Sequence, residues 1–297
     1  MNERVGTVAA LRCAPPRLGD MPELPEVQAL AERIRDRLAG ATFVRADPLS
    51  FSALKTVTPS PEDLGGKRLE RVGRRGKFLV FEIERYRLAI HLSQGGRIDL
   101  VDGSVKTRPR GALVRLRFDR DPVLLVKEFG TERKAGWWVL AQGDEGPMAK
   151  LGPEPFADEF ADLVMTGTDT GRLHPMLRDQ RQVAGIGRGY SDDILHRAKL
   201  SPYRSLASLS SEERERLLQA VRGVLTEGLE VERRRPAGLP PKLGDHWIVH
   251  GRYGTPCPTC GSDLRRVSYE SHEVTYCPTC QTGSRVLADR RLSRLVK

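Results

Sequence analysis

Residues 257–280 read CPTCGSDLRRVSYESHEVTYCPTC, and this stretch holds four of the five cysteines in the chain. Two Cys-Pro-Thr-Cys pairs at this separation have the spacing of a structural zinc site, because each pair forms a tight turn on which two thiolates converge. Four thiolates complete a tetrahedron and leave no position open for catalysis. The residues between the pairs alternate like two short strands. We therefore predict a β-hairpin that holds one Zn²⁺ through Cys257, Cys260, Cys277 and Cys280; reduced core cysteines are the alternative.

The region before the cysteines has helical periodicity. RLHPMLRDQ, SDDILHRAKL and SSEERERLLQAVRGVLTEGLE each predict a helix, and the third begins with a capping box from Ser210 to Glu213. The run Gly185-Ile-Gly187-Arg-Gly189 joins the first two helices. A helix and not a strand precedes it, which argues against a dinucleotide fingerprint. The alternatives are a glycine turn whose N–H groups bind a phosphate and an ordinary helix hairpin.

The first half of the chain is mostly β. One amphipathic helix is predicted in PELPEVQALAERIRDRLAG, with Pro22 and Pro25 in its first turn. Strands are predicted at 78–83, 87–92, 112–118, 122–129 and 136–140, at the spacing of a sandwich or barrel. The fold class is therefore α+β. Its parts are an extension (1–20), an N-terminal helix with a β-sandwich (21–150), a linker (151–171), a helical domain (172–245) and a zinc-finger module with a basic tail (246–297).

Composition restricts the function classes. Hydrophobic residues make up 39% and charged residues 30% of the 297, which is typical of a globular protein and excludes a wholly disordered chain. There is no run of about 18 apolar residues, so no membrane partner is expected. A net charge of +10 favours a polyanionic partner. The odd cysteine count and the lack of a signal-peptide pattern predict a reducing, cytoplasmic location.

Several stretches together resemble a known family. They are MPELPEV at 21–27, RRGKFL at 74–79, HLSQGG at 91–96, LGPEP at 151–155, LRDQRQVAGIGRGYSDDIL at 177–195, and the two CPTC pairs. In this order they are similar to the formamidopyrimidine-DNA glycosylase and endonuclease VIII family. The resemblance implies that the helical domain is a helix-two-turn-helix domain, that a DNA cleft separates it from the β-sandwich, and that the zinc hairpin reaches across this cleft.

The same resemblance implies a chemistry. In the family, an N-terminal proline amine attacks C1′ of the damaged nucleotide, expels the base and holds the sugar as a Schiff base, and elimination then nicks the strand. It implies that Pro22 is the nucleophile, Glu23 the acid and base, Lys77 a proton donor and Glu26 a supporting carboxylate. A terminal proline suits this role because an α-amino pKa of about 8 leaves free amine at neutral pH. Helix initiation and a solvated strand lysine are the alternatives for Pro22 and Lys77.

Pro22 is preceded by twenty-one residues, and inside a chain its nitrogen is a tertiary amide without nucleophilicity. We therefore expect translation to begin at Met21, followed by removal of the methionine. Residues 1–20 would then not belong to the mature protein.

The DNA contacts implied by the resemblance depart from the family pattern. Purine-specific members fill the gap left by the flipped base with methionine, arginine and phenylalanine, and these positions read Gln94, Arg133 and Ala135. An asparagine is expected where Arg188 stands, and an arginine where His272 stands. The candidate DNA-binding residues are Gln94, Arg110, Arg133, Gly187, Arg188 and His272, and the expected partner is damaged double-stranded DNA bound by a monomer.

Three functions are compatible with these observations. The leading one is a DNA glycosylase and abasic-site lyase that acts on oxidised or ring-opened bases. The second is a protein of the same fold that binds lesions without excising them, because the wedge positions are changed. The third is a zinc-stapled protein that binds RNA or ribosomes through its charge.

Overall fold

Helix α1 (Leu24–Leu38) begins the described part of the chain; the computed structural model describes residues 21–104, 107–129, 133–268 and 273–288. Its apolar positions, spaced three or four residues apart, are all buried: Val27, Leu30, Ile34 and Leu38. The first turn is fixed by the Glu26 carboxylate, which accepts the Glu23 N–H at 2.9 Å. The predicted N-terminal helix is therefore present and starts at the residue after Glu23.

Two antiparallel four-stranded sheets form the β-sandwich. One has the order β1-β6-β7-β5 and the other β2-β3-β4-β8. The strands are β1 (Phe43–Pro48), β2 (Leu69–Arg75), β3 (Phe78–Ile83), β4 (Tyr86–His91), β5 (Gly96–Val101), β6 (Ala112–Phe118), β7 (Val123–Glu128) and β8 (Gly136–Ala141). The five predicted strands agree with β3, β4, β6, β7 and β8 to within one residue at each end. The other three were not predicted, because β1, β2 and β5 carry few apolar residues in a row.

Four helices form the second domain. They are α2 (Asp158–Thr166), α3 (Leu173–Arg178), α4 (Arg188–Arg197) and α5 (Ser211–Arg233). The predicted cap of α5 is confirmed, since Ser210 Oγ accepts the Glu213 N–H. The segment predicted as a linker contains α2, and its Phe160 and Val164 are fully buried in the core of the helical domain. Most of the segment is therefore part of that domain.

Residues 231–245, which are mostly polar or proline, cross back to the β-sandwich. The first of them belong to α5, and Leu239 and Leu243 are buried in the sandwich core. The Arg97 guanidinium donates to the carbonyl oxygens of Pro240 and Pro241 at 2.8 and 2.9 Å. This loop therefore fixes the end of α5 against β5. In the described ranges, no helix is long and apolar enough to span a bilayer.

Glu154, in the stretch LGPEP, joins the two domains at the turn between β2 and β3. Its carboxylate accepts hydrogen bonds from Arg74 at 2.5 Å, Arg75 at 2.9 Å and the Gly76 N–H at 2.8 Å. Burial alone would raise the pKa of Glu154, but Arg74 and the Gly76 N–H outweigh it and hold the pKa below its ordinary value. This turn carries Lys77, so Glu154 also positions that lysine.

We expect Glu154→Gln to lower the free energy of unfolding by about 2 kcal/mol, because it removes a charged acceptor from three donors in a half-buried site. The control is Glu145→Gln, which loses only one exposed ion pair with Arg87 and should cost at most about 1 kcal/mol. Urea denaturation at pH 7 measures both. Because the native pKa of Glu154 is lowered, its contribution is present above the unfolded pKa and is lost as the pH falls through the native value. Equal losses for the two variants would contradict this role.

Candidate active site

Glu23 lies where the start of α1 meets the start of α4. The residue is 2% exposed, and its carboxylate accepts the Gly189 N–H at 3.0 Å and the Gly187 N–H. These N–H groups belong to the first turn of α4, where no backbone acceptor is available and the helix dipole favours an anion. The helix N-terminus therefore holds a carboxylate of the protein itself.

The turn at residues 185–189 does not present all of its N–H groups to a ligand. A phosphate held by the turn was one alternative at the sequence level, but the Gly187 N–H, a candidate DNA contact, already donates to Glu23. The side chain of Gln180 fixes the turn from within, donating to the Ile186 carbonyl at 2.7 Å and accepting the Gly185 N–H at 2.9 Å. The turn at residues 183–187, called the VAGIG turn below, therefore serves to position Glu23.

Lys77 shares this space with Glu23. Its side chain is buried, and a Cβ atom added to Gly187 would lie 2.5 Å from both the Glu23 carboxylate and Lys77 Nζ. Burial raises the pKa of Glu23 although Lys77 opposes the shift, and burial lowers the pKa of Lys77 although Glu23 opposes it. Both pKa values therefore move toward neutrality, which suits groups that exchange protons with a substrate.

Glu26 stands behind this pair and is fully buried. Burial, with help from Glu232 and Glu23, raises the pKa of Glu26 to about 8, so the residue carries a proton at neutral pH. Its second carboxylate oxygen contacts the Tyr190 hydroxyl at 2.8 Å. Pro22, the predicted nucleophile, is also buried and lies between Met21 and Glu23.

Sequence reasoning missed His91, which lies in the quoted motif HLSQGG at the end of β4. Its ring packs on Phe78 with a centroid distance of 4.7 Å. Burial, followed by the nearby Lys77, lowers the pKa of His91 to about 4, so the ring is neutral at physiological pH. Arg178 and Arg188 also lie close enough to lower the pKa of Lys77. The motif HLSQGG, which resembles the family pattern and contains His91, was the signal in the sequence that could have identified this residue.

The remaining DNA-contact candidates gather at one end of the β-sandwich. Gln94, Arg110 and Arg133 are exposed, and the loops that carry the first two meet β7 where the Phe129 N–H donates to Gly95 and the Glu128 N–H to Gly111. Ala135 differs from them, because it is 3% exposed and its N–H donates to Glu128. It is therefore no surface wedge. His272 lies outside the described residues.

The four cysteine side chains converge as predicted. All the Sγ atoms of Cys257, Cys260, Cys277 and Cys280 lie within 4.8 Å of one another. Strands β9 (Arg265–Ser268) and β10 (Glu273–Tyr276) form the predicted hairpin, and the short helix α6 (Pro278–Thr282) carries the last cysteine. Four cysteine sulfur atoms at this distance suit a tetrahedral Zn²⁺.

Helix α4 connects this hairpin to Glu23. Asp193 accepts the N–H groups of residues 248–250, and Asp192 accepts the Thr275 N–H of β10 at 3.0 Å. Asp192 also contacts His174 at 3.0 Å and His250 at 2.6 Å. The helix that holds the Glu23 carboxylate at its N-terminus therefore carries the cysteine hairpin on its side.

Comparisons with known proteins agree with this architecture. The family model described as the formamidopyrimidine-DNA glycosylase N-terminal domain matches residues 21–138, and the model of the H2TH domain matches residues 151–235. A formamidopyrimidine-DNA glycosylase of Thermus thermophilus is 36% identical over 282 residues, which cover 88% of this chain and 98% of that protein.

Solved structures give the same result. The crystal structure of the Fpg protein from Thermus thermophilus has a TM-score of 0.75 at 32% identity, covering 88% of this chain and 98% of that one. A Lactococcus lactis Fpg variant in complex with a Fapy-dG containing DNA has a TM-score of 0.76 at 26% identity, covering 88% and 100%. The fold and the site thus define a DNA glycosylase. The chain belongs to the formamidopyrimidine-DNA glycosylase family.

Proposed function

We propose that this protein excises oxidised or ring-opened bases from double-stranded DNA and then nicks the abasic strand through a Schiff base on the Pro22 nitrogen. The observation that carries the proposal is the buried pair of Glu23 and Lys77 at the N-terminus of α4. Glu23 directly follows Pro22 in the chain. A protein that only binds lesions has no need of an acid and an amine with pKa values displaced toward neutrality.

Each residue has a defined step in this reaction. The Pro22 amine forms a bond to C1′ while the C1′–base bond breaks, and the leaving base takes a proton from the acid supplied by Glu23 or Lys77. The proton on the proline nitrogen then passes by way of Glu23 to O4′ as the C1′–O4′ bond breaks, so the sugar ring opens to an alcohol and the nitrogen becomes an iminium. Glu23, now a carboxylate, removes a proton from C2′ and the 3′-phosphate leaves. Water then hydrolyses the Schiff base and releases the enzyme.

Zn²⁺ and the basic surface would serve DNA binding. Four cysteine thiolates would hold one Zn²⁺ that stabilises the hairpin and takes no part in the chemistry. One end of the β-sandwich would contact the phosphate backbone of the DNA. The support for this is the net charge of +10 and the exposure of Gln94, Arg110 and Arg133 at that end.

The experiment is single-turnover excision of a formamidopyrimidine from a duplex, with the undamaged duplex as reference, by protein that begins at Pro22. We expect base release followed by strand cleavage. Glu23→Gln should lose base excision more than lyase activity, because the acid and base group is gone. Tight binding of the lesion without base release would favour the lesion-binding protein and reject the glycosylase.

Cys277→Ser should reduce DNA affinity at least tenfold, because loss of one thiolate removes the metal from a module too small to fold alone. Metal analysis should give one zinc per chain for the wild type and less than that for the variant. The matched control is Ser284→Ala, an exposed change just beyond α6. A variant without zinc that binds DNA at full affinity would exclude a structural zinc.

Gln94→Met tests the base-flipping wedge. A glutamine stacks poorly, so we expect the wild type to prefer substrates that are already unstacked, such as abasic sites and ring-opened purines, over 8-oxoguanine paired with cytosine. Methionine should raise excision of the stacked lesion about fivefold, which corresponds to about 1 kcal/mol, and should leave abasic-site cleavage unchanged. Gln142→Met, an exposed change at the far end of β8, is the control. Equal wild-type rates on the two substrates would show that Gln94 does not set the preference.

A further inference from the structure

A second cluster of polar side chains lies next to Glu23, where α1 and α4 pack against α5. It joins Glu26 of α1, Tyr190 of α4, Glu232 of α5 and His246 in the loop that follows α5. Glu26 and Glu232 are fully buried and Tyr190 is 1% exposed. The Tyr190 hydroxyl lies 2.8 Å from Glu26 Oε1 and 2.9 Å from His246 Nε2.

The position of Tyr190 allows two arrangements of protons. A hydroxyl has one proton, so Tyr190 donates either to Glu26 or to His246. If it donates to His246, a neutral Glu26 carboxyl must donate to the Tyr190 oxygen. If it donates to Glu26, the second contact requires that His246 Nε2 carry a proton and donate to Tyr190. The two arrangements differ by the net transfer of one proton between Glu26 and His246.

The surroundings stabilise both arrangements. Burial raises the pKa of Glu26, which favours the neutral carboxyl. On the other side, His246 Nδ1 lies 3.8 Å from Glu232 Oε1 and 3.5 Å from Asp245 Oδ1, two oxygens that would stabilise an imidazolium. Burial also raises the pKa of Tyr190, so the tyrosine keeps a proton throughout.

Other charged groups face the cluster from each element packed against it. Glu23 precedes α1 and Lys77 lies in the turn between β2 and β3. Arg33 of α1 donates to the Glu232 main-chain oxygen at 2.7 Å, and Arg235 pairs with Glu232 at 2.8 Å. Because Glu232 Oε2 already pairs with Arg235 and both oxygens of Glu26 already have hydrogen-bond partners, a shared proton explains the cluster better than a bound metal ion.

We propose that Glu26, Tyr190 and His246 form a proton relay, with Glu232 as the counter-charge, that switches the charge beside the reacting nitrogen of Pro22. The inference rests on the proposed function. Glu26 accepts the N–H of Glu23, the residue directly after Pro22, so its charge acts at close range. A neutral Glu26 leaves the amine unprotonated and nucleophilic. When the iminium forms, the Glu26 proton passes to the Tyr190 oxygen and the Tyr190 proton to His246 Nε2, which leaves a carboxylate beside the new cation.

The relay predicts a specific pH profile for borohydride trapping of protein that begins at Pro22. Between about pH 6 and 8 the wild-type rate should follow only the titration of the Pro22 amine, because the acceptor of the Glu26 proton is internal. Tyr190→Phe and His246→Gln break the path, so each should react roughly tenfold more slowly at pH 7 and recover toward the wild-type rate above about pH 8, where Glu26 loses its proton to solvent. Slow reaction at every pH would indicate packing damage and overturn the relay.

A double-mutant cycle separates the relay from independent contributions. If Tyr190 and His246 act as one path, the double variant should be no slower than either single variant. Multiplied losses would contradict the relay. Tyr86→Phe, on β4 and outside the cluster, is the control and should leave the profile unchanged.

Infrared difference spectroscopy on the full 297-residue chain tests the relay without any need for a reactive proline. We expect a protonated-carboxyl band at pH 7 that disappears in Glu26→Gln and shifts in His246→Gln. Its absence from the wild type would overturn the relay. Absence of trapping by a wild type that shows the band would reject the proposed function and leave the shared proton established.

Discussion

We expect protein that begins at Pro22 to form a borohydride-reducible adduct with an abasic duplex, and the 297-residue chain to form no detectable adduct. In the 297-residue chain the Pro22 nitrogen is a tertiary amide, and its lone pair is delocalised into the Met21 carbonyl group. In protein that begins at Pro22 the same nitrogen is a secondary amine, and its lone pair can attack C1′. Loss of a nucleophile typically costs several powers of ten, so we expect a difference of roughly a thousandfold or more. Trapping followed by denaturing electrophoresis measures it directly.

The matched control carries one additional glycine before Pro22. This protein has a free amine of its own, displaced by one residue from Glu23 and Lys77, and should trap abasic DNA much more slowly than protein that begins at Pro22. Pro22→Gly at the terminus keeps an amine in the right place and should retain part of the activity. Equal trapping by the full chain and by protein that begins at Pro22 would mean that another amine forms the Schiff base.

Features set by neighbouring residues were the ones that the sequence predicted well. The cap of α5 depends on Ser210 and Glu213 alone, and the cysteine cluster depends on two tight turns whose spacing is visible in the chain. The strands with continuous apolar residues were predicted for the same reason. The candidate catalytic residues came from resemblance to a family, since composition and periodicity assign no chemistry to Pro22, Glu23 or Lys77.

Features set by distant contacts were missed. Helix α2 is short and proline-flanked, and it is stabilised by the burial of Phe160 and Val164 against the other helices. Leu239 and Leu243 are two apolar residues in a polar loop, and only the β-sandwich core explains them. Tyr190 and Glu26 are 164 residues apart, so their hydrogen bond left no local pattern in the sequence.

Gly187→Ala should reduce base excision at least a hundredfold while leaving the protein folded. The backbone at Gly187 has φ −131°, which alanine adopts without strain, so the effect comes from space and not from conformation. The added Cβ would lie 2.5 Å from the Glu23 carboxylate and from Lys77 Nζ, far inside van der Waals contact. Both groups are buried, so they must move together, and proton transfer depends steeply on their position.

The control is Gly73→Ala in β2, where an added Cβ meets no atom within 4 Å. It should leave excision and the midpoint of urea denaturation unchanged. For Gly187→Ala we expect the loss in the rate of chemistry under single-turnover conditions, with affinity for an uncleavable abasic-site analogue retained within about threefold, because the site's DNA-facing surface is not altered. Unchanged excision would show that a displacement of Glu23 and Lys77 does not affect the reaction. It would therefore contradict the catalytic roles that we assign to these two residues. Lost affinity with unchanged chemistry would return the VAGIG turn to the role of phosphate contact.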